Sequence, residues 1–126
     1  ITDAIDFASV DVSFISLKLI FPNLHKLLKP GAYAVCLIKP QFEAGKEKVG
    51  KKGVVRDMAV HLEVVDKVMH EAVEAGFSVM GLDFSPVKGP EGNIEYLMWI
   101  SSSEDPAISE EINAAGIVDR SHEELQ

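Results

Sequence analysis

Residues 31–52 read GAYAVCLIKPQFEAGKEKVGKK, and the reading of this stretch decides the fold. Ala34, Val35, Cys36, Leu37 and Ile38 form an unbroken apolar run, the kind of strand that exists to be buried. The run delivers a charged Lys39 to its carboxyl end and stops at Pro40, which cannot donate to a strand ladder. A loop rich in glycine and lysine follows. Open α/β sheets build their sites at the carboxyl ends of parallel strands. Lys39 stands where such a sheet places a reactive group, and the rest of the chain supplies its neighbours.

Upstream, residues 5–15 (IDFASVDVSFI) mix β-branched, aromatic and small residues and predict a strand ending near Asp11 or Val12. Ser13 and Ser16 are each suited to cap a following turn. Leu17, Ile20, Phe21, Leu24, Leu27 and Leu28 then recur at helical spacing, with Pro22 predicting a kink or a restart. Lys29, Pro30 and Gly31 are stop signals for that helix, and residues 33–38 make the second strand. Residues 40–56 show no periodicity; Gly45, Gly50 and Gly53 punctuate a loop of the length that is usually functional or disordered. Asp57 suits the N-cap of a helix with the stripe Leu62, Val65, Val68, Met69, Ala72 and Val73, closed by Gly76. Residues 77–84 and 94–100 are the third and fourth strands, joined by the turn-rich SPVKGPEGN. A short peripheral helix is expected around residues 108–114.

The two helical crossovers make the first three strands parallel, and the short last connection makes the fourth antiparallel. The expected class is α/β: half of a doubly wound, mostly parallel sheet with one antiparallel last strand. At 126 residues, with 47% apolar and 25% charged side chains, the chain is one ordinary globular domain at most. No apolar run approaches the roughly 18–20 residues of a membrane span, and no signal peptide is visible. Ile1 stands where a Met would begin a complete chain, so a fragment, or a chain whose leader or tag was removed, is expected. Cys36 is the single cysteine and lies inside the apolar strand, which excludes a disulfide framework, suits core packing and points to the reducing cytoplasm.

The net charge of −8 argues at first against nucleic acid. Its distribution reverses that. Glu104, Asp105, Glu110, Glu111, Asp119, Glu123 and Glu124, against Arg120 alone, put −6 in residues 101–126 and leave −2 for the rest. From Lys39 to Arg56 the sign is positive, with six basic residues against Glu43 and Glu47.

Asp11 and Lys39 close parallel strands and share the carboxyl rim. Glu95 opens the antiparallel fourth strand, and the beginning of such a strand lies on that same rim. If the fourth strand lies beside the second, the three charges are neighbours along one edge. Burying isolated charges is costly, so this acid–base–acid set is either a structural ion network or a site. Two adjacent carboxylates favour the charged lysine, and only desolvation or another cation would make it a base.

The blocks DVSFIS, LIKPQFEAG, GKKGVVRD and GPEGNIEYL, in this order and spacing, resemble the TlyA family over roughly residues 5–101. These are hemolysin-named proteins with a ribosomal RNA 2′-O-methyltransferase domain of the FtsJ type. The resemblance implies a partial Rossmann-like S-adenosylmethionine-dependent methyltransferase fold. It makes residues 1–101 the C-terminal half of that domain and residues 102–126 an acidic tail. Asp11, Lys39 and Glu95 match the last three members of the family's lysine–aspartate–lysine–glutamate set, and Asp11, Val12 and Ser13 fall on the cofactor side. The first lysine, the glycine-rich cofactor motif and an S4-type RNA-binding domain lie upstream in the family and are expected outside this chain. The implied reaction is in-line displacement of the cofactor's methyl group by a ribose 2′-hydroxyl, in the cytoplasm, with ribosomal RNA or a ribosomal subunit as partner.

Lys46, Lys48, Lys51, Lys52 and Arg56 suit phosphate contacts, which position RNA without reading it; a solvated loop is the plainer alternative. Phe42 either stacks on a base or packs under the loop. Gly89, Pro90, Gly92 and Asn93 make a tight turn that aims Glu95, with RNA contact through Asn93 as the alternative. His25, His61, His70 and His122 have no metal-ligand spacing and are expected on surfaces or helix faces. Met98 and Trp99 are strand residues on opposite faces. Two other functions stay open: a membrane-active hemolysin, and an RNA- or partner-binding domain without catalysis. Without upstream strands the first strand is an open edge inviting self-pairing. The chain alone is expected to dimerise there or to bind S-adenosylmethionine weakly.

Overall fold

The computed structural model describes residues 5–11, 16–44, 55, 57–88 and 92–125. Among them β1 (Ile5–Val10), α1 (Leu17–Leu27), β2 (Leu28–Ile38), α2 (Pro40–Glu43), α3 (Met58–Glu74), β3 (Phe77–Phe84), β4 (Tyr96–Ser102) and α4 (Ala114–Leu125) follow in chain order. The strands lie side by side as β1-β2-β4-β3. β1 and β2 are parallel, and β4 is antiparallel to both β2 and β3. The last strand is therefore the reversed one, inserted between the second and the third.

Alternation along the strands sorts the core. Ala34, Cys36 and Ile38 of β2 and Tyr96, Met98 and Ile100 of β4 are fully buried. They join one cluster with Leu17, Phe21 and Leu24 of α1 and Val64, Val65, Val68, Met69 and Ala72 of α3. The intervening Val35, Leu37, Leu97 and Trp99 are half-buried, and Tyr33 and Phe7 are exposed. Burial pushes the Cys36 thiol up to about 12, so it packs as a protonated, inert hydrophobe.

Three local expectations are corrected. α1 runs through Pro22 without a break. Pro22 and Lys18, four residues apart, share the exposed face, so the carbonyl that loses its partner can turn to water. The helix also ends before its stop signals. Leu28 is already extended, and β2 begins there, with Gly31 at φ +81° in a bulge between the pairs Ile5↔Leu28 and Phe7↔Tyr33. The tail helix is not at residues 108–114 but at Ala114–Leu125, where Asn113 Oδ1 accepts the Gly116 N–H at 3.1 Å as an N-cap. It is not peripheral either, since Val118 and Ser121 are buried against the core. Residues 107–109 meanwhile hydrogen-bond to Val79 and shield the outer edge of β3.

α3 forms as its ends predict. Asp57 Oδ1 accepts the Ala59 N–H at 2.8 Å, and Gly76 closes it at φ +99°. A Cβ on Gly76 would lie 2.6 Å from His25 Nε2, so both conformation and space demand glycine there.

Candidate active site

The parallel register β1–β2 ends with Val10 opposite Cys36, which brings the next residues of both strands onto one rim. Asp11 follows β1 directly and Lys39 follows β2 directly. Lys39 Nζ lies 2.5 Å from Asp11 Oδ1; the lysine side chain is 11% exposed and the aspartate 63%. The pair joins a sheltered cation to an open carboxylate. Ile38 pairs with Tyr96 across the antiparallel β2–β4 ladder, so continuing the register sets Lys39 opposite Glu95. Glu95 is buried at 6% exposure, and its backbone carbonyl accepts the Ser85 N–H at 2.8 Å. The structure thus brings Asp11, Lys39 and Glu95 to three adjoining strand ends.

One turn of helix ties these ends together. Pro40 at the first position of α2 turns the chain out of β2, and Lys39 sits at the N-cap in an extended conformation. Gln41 Nε2 donates to Glu95 Oε2 at 3.1 Å. Glu43, 6% exposed, accepts from Ser16 Oγ at 2.8 Å and from the Leu17 N–H at 2.9 Å, closing the N-terminus of α1. Its carbonyl oxygen accepts from Lys67 Nζ of α3 at 2.5 Å. Residues 39, 41 and 43 thereby reach, in turn, the end of β1, the start of β4 and the start of α1. In the sequence Glu43 stands only as a counter-charge in a basic loop, and Gln41 only as one letter of a motif. Their spacing past a strand-ending lysine and proline was the available signal.

Asn93 is 2% exposed, and its Oδ1 accepts the Val55 N–H at 2.9 Å. The Val55 carbonyl oxygen accepts from His61 Nε2 at 2.8 Å. The N–H and the carbonyl oxygen of buried Val55 are both held by buried side chains, which ties Val55 to the segment leading into Glu95. Gly92, at φ +83°, makes the turn into Asn93. His61 corrects an expectation: it is fully buried, because the buried face of α3 runs His61, Val64, Val65, Val68, Met69 and Ala72. Leu62 and Val73, assigned to the stripe, are half-buried. Phe42 is also half-buried. Val12, Ser13, Lys46, Lys48, Lys51, Lys52 and Arg56 lie outside the described residues. No cluster of three or more His, Cys, Asp or Glu side chains suited to a metal occurs among the described residues.

Chemically, the rim offers an ion-paired ammonium, an open carboxylate and a sheltered carboxylate at three adjoining strand ends. Comparison with known proteins adds the family. Residues 1–102 match the FtsJ-like methyltransferase family. YqxC of Bacillus subtilis (strain 168) is 44% identical over 124 residues, covering 96% of this chain and 44% of YqxC. The 16S/23S rRNA (cytidine-2′-O)-methyltransferase TlyA of Mycobacterium tuberculosis is 40% identical over 118 residues, 94% of this chain and 42% of that protein. A solved structure of a hemolysin-named protein from Streptococcus thermophilus superposes with a TM-score of 0.93 at 46% identity, over 97% of this chain and 44% of the other. The chain spans less than half the length of each.

Proposed function

Because this chain belongs to the FtsJ-like methyltransferase family, we propose that it carries the acceptor half of a site for 2′-O-methylation of ribosomal RNA. The observation that carries the proposal is the Lys39–Asp11 pair at 2.5 Å, with Glu95 opposite on the next strand. The family uses S-adenosylmethionine, which when bound supplies an electrophilic methyl group. The chemistry of Asp11 fits such a group: a carboxylate 63% exposed at the rim has room beside a cation even while one oxygen holds Lys39. Asp11, Val12 and Ser13 would hold it.

In the ion-paired state Lys39 donates, so it grips the oxygen of the ribose hydroxyl and orients a lone pair. Only a neighbouring cation or exclusion of water would let it accept the proton as well. Glu95 braces the ribose or the lysine from the β4 side. Orientation supplies much of the acceleration expected at such a rim. Lys46, Lys48, Lys51, Lys52 and Arg56 grip phosphates, and Asn93 serves RNA binding from inside by anchoring Val55 at the loop's end. The working compartment is the cytoplasm, where ribosomal RNA is met. No helix among the described residues is long and apolar enough to cross a membrane, and the hemolysin reading is not favoured beside the methyltransferase match.

The test is methyl transfer from labelled S-adenosylmethionine to ribosomal RNA by the full-length protein. Lys39→Ala should lower kcat by about 10²–10⁴-fold with the fold intact. A variant that keeps near-normal turnover would remove Lys39 from the chemistry.

A further inference from the structure

Gln41 has one satisfied end and one empty end. Its Nε2 donates to Glu95 Oε2 at 3.1 Å, and the partner's chemistry fixes the orientation, because an ionised carboxylate only accepts. The amide oxygen therefore faces away from Glu95. That Oε1 is buried and has no hydrogen-bond partner. Other polar groups of the same turn are paired: the Phe42 and Glu43 N–H groups with the Lys39 carbonyl, the Ala44 N–H with the Pro40 carbonyl, and the Glu43 carboxylate with Ser16 and Leu17.

Unpaired buried acceptors are rare in folded proteins and unfavourable. Glu71 Oε1 is a second one, on a carboxyl that burial pushes up. A neutral amide oxygen can act only as an acceptor. Only an arriving donor can satisfy it.

We propose that Gln41 Oε1 is the acceptor for the 2′-hydroxyl of the target ribose as the RNA docks. The proposal rests on the ribose-methylation reading above and names the residue that recognises the sugar. Inside an RNA strand the 3′ and 5′ oxygens are esterified, so the 2′-hydroxyl is the only donor the ribose presents, and it is the group that separates RNA from DNA. Gln41 carries this acceptor two residues from Lys39, on the amide whose Nε2 donates to Glu95. An amide oxygen is not a base, so the contact belongs to docking: it strengthens binding and leaves the methyl-transfer step itself to Lys39. Because Oε1 has no exposed surface, the ribose reaches it by displacing what covers it.

The test uses the full-length protein and the ribosomal RNA segment it methylates. Two RNA probes are compared, identical except for a 2′-deoxy sugar at the mapped target, with S-adenosylhomocysteine present so that nothing turns over. The unaltered protein should bind the ribose probe about 3- to 10-fold more tightly than the deoxy probe, the worth of one hydrogen bond. Gln41→Met should bind both probes with the deoxy affinity and raise KM by the same factor. Gln41→Asn, which withdraws the amide by one methylene, should lose the preference as well and serves if Gln41→Met folds poorly. A preference that survives in either folded variant overturns the role of Gln41 while ribose methylation stands. Absence of methyl transfer to any ribose by the unaltered protein removes both.

Discussion

A histidine with no exposed surface must satisfy two ring nitrogens, and His61 satisfies both. Nε2 donates to the Val55 carbonyl oxygen at 2.8 Å, so in the neutral ring Nδ1 is an acceptor. His122 Nε2 stands 2.8 Å from it as donor, with Tyr96 Oη at 3.1 Å. Ser121 uses its proton on the Val118 carbonyl oxygen at 2.7 Å, so the Tyr96 hydroxyl donates to Ser121 Oγ at 2.8 Å. Protonating His61 would turn Nδ1 from an acceptor into a donor, costing the bond from His122 and leaving only the Tyr96 hydroxyl oxygen to receive it. Burial pushes its pKa below the ordinary 6.5, and His122 adds to that, while the Val55 carbonyl oxygen and Asp57 oppose it. The sign follows from linkage. The unfolded chain takes up a proton near pH 6.5 that the folded chain refuses, so this stability is present above pH 6.5 and is lost as pH falls from there toward the folded value. The melting midpoint should drop on acidification through this window, and His61→Gln should flatten that part of the curve. An unchanged slope in His61→Gln would place the acid sensitivity elsewhere.

Among the elements, the shortest has the widest reach. α2 is four residues long, yet it links β1, β4, α1 and α3 through Lys39, Gln41 and Glu43. Glu43 is buried and makes two hydrogen bonds as a charged acceptor, each worth about 1.5–3 kcal/mol. Glu43→Ala should therefore cost ~3 kcal/mol in urea unfolding, whereas Glu43→Gln, which keeps an acceptor for the Leu17 N–H, should cost about half as much. Equal losses in the two variants would show that volume rather than hydrogen bonding decides the site. The same helix marks the boundary of what a sequence can tell. Asp11, Lys39 and Glu95 were legible because strand ends are set by topology, which apolar runs and turn residues encode locally. Phe77–Phe84 was legible for the same reason. Glu43 and Gln41 were not, since their partners lie 26 or 27 and 54 residues away, and no local period carries that information. His61 was hidden likewise by a partner 35 residues on. Pro22 misled because its effect depends on which face of α1 meets water.

At the scale of the whole molecule, the sheet formed by the described residues is covered on one side and open on the other. Residues 107–109 bond to β3 and close that edge, while β1 is the opposite end of the strand order. Phe7 and Tyr33 are paired in register, 58% and 54% exposed, on the face that the buried cluster does not use. An edge strand with exposed aromatic neighbours is a template for another strand. The net charge of −8 opposes association, but much of it lies in residues 101–126, on elements packed around β3 and α3 rather than β1. Repulsion therefore acts from a distance and is screened beyond about 8–10 Å at physiological salt. We expect the 126-residue chain by itself to self-associate through β1, with a dimer fraction that rises with salt in sedimentation velocity runs. Placing lysines on this edge, as Phe7→Lys with Ser9→Lys, should return it to a monomer with an unchanged melting midpoint. A monomer at high salt without those lysines would show that the open edge is protected by its own twist and side chains.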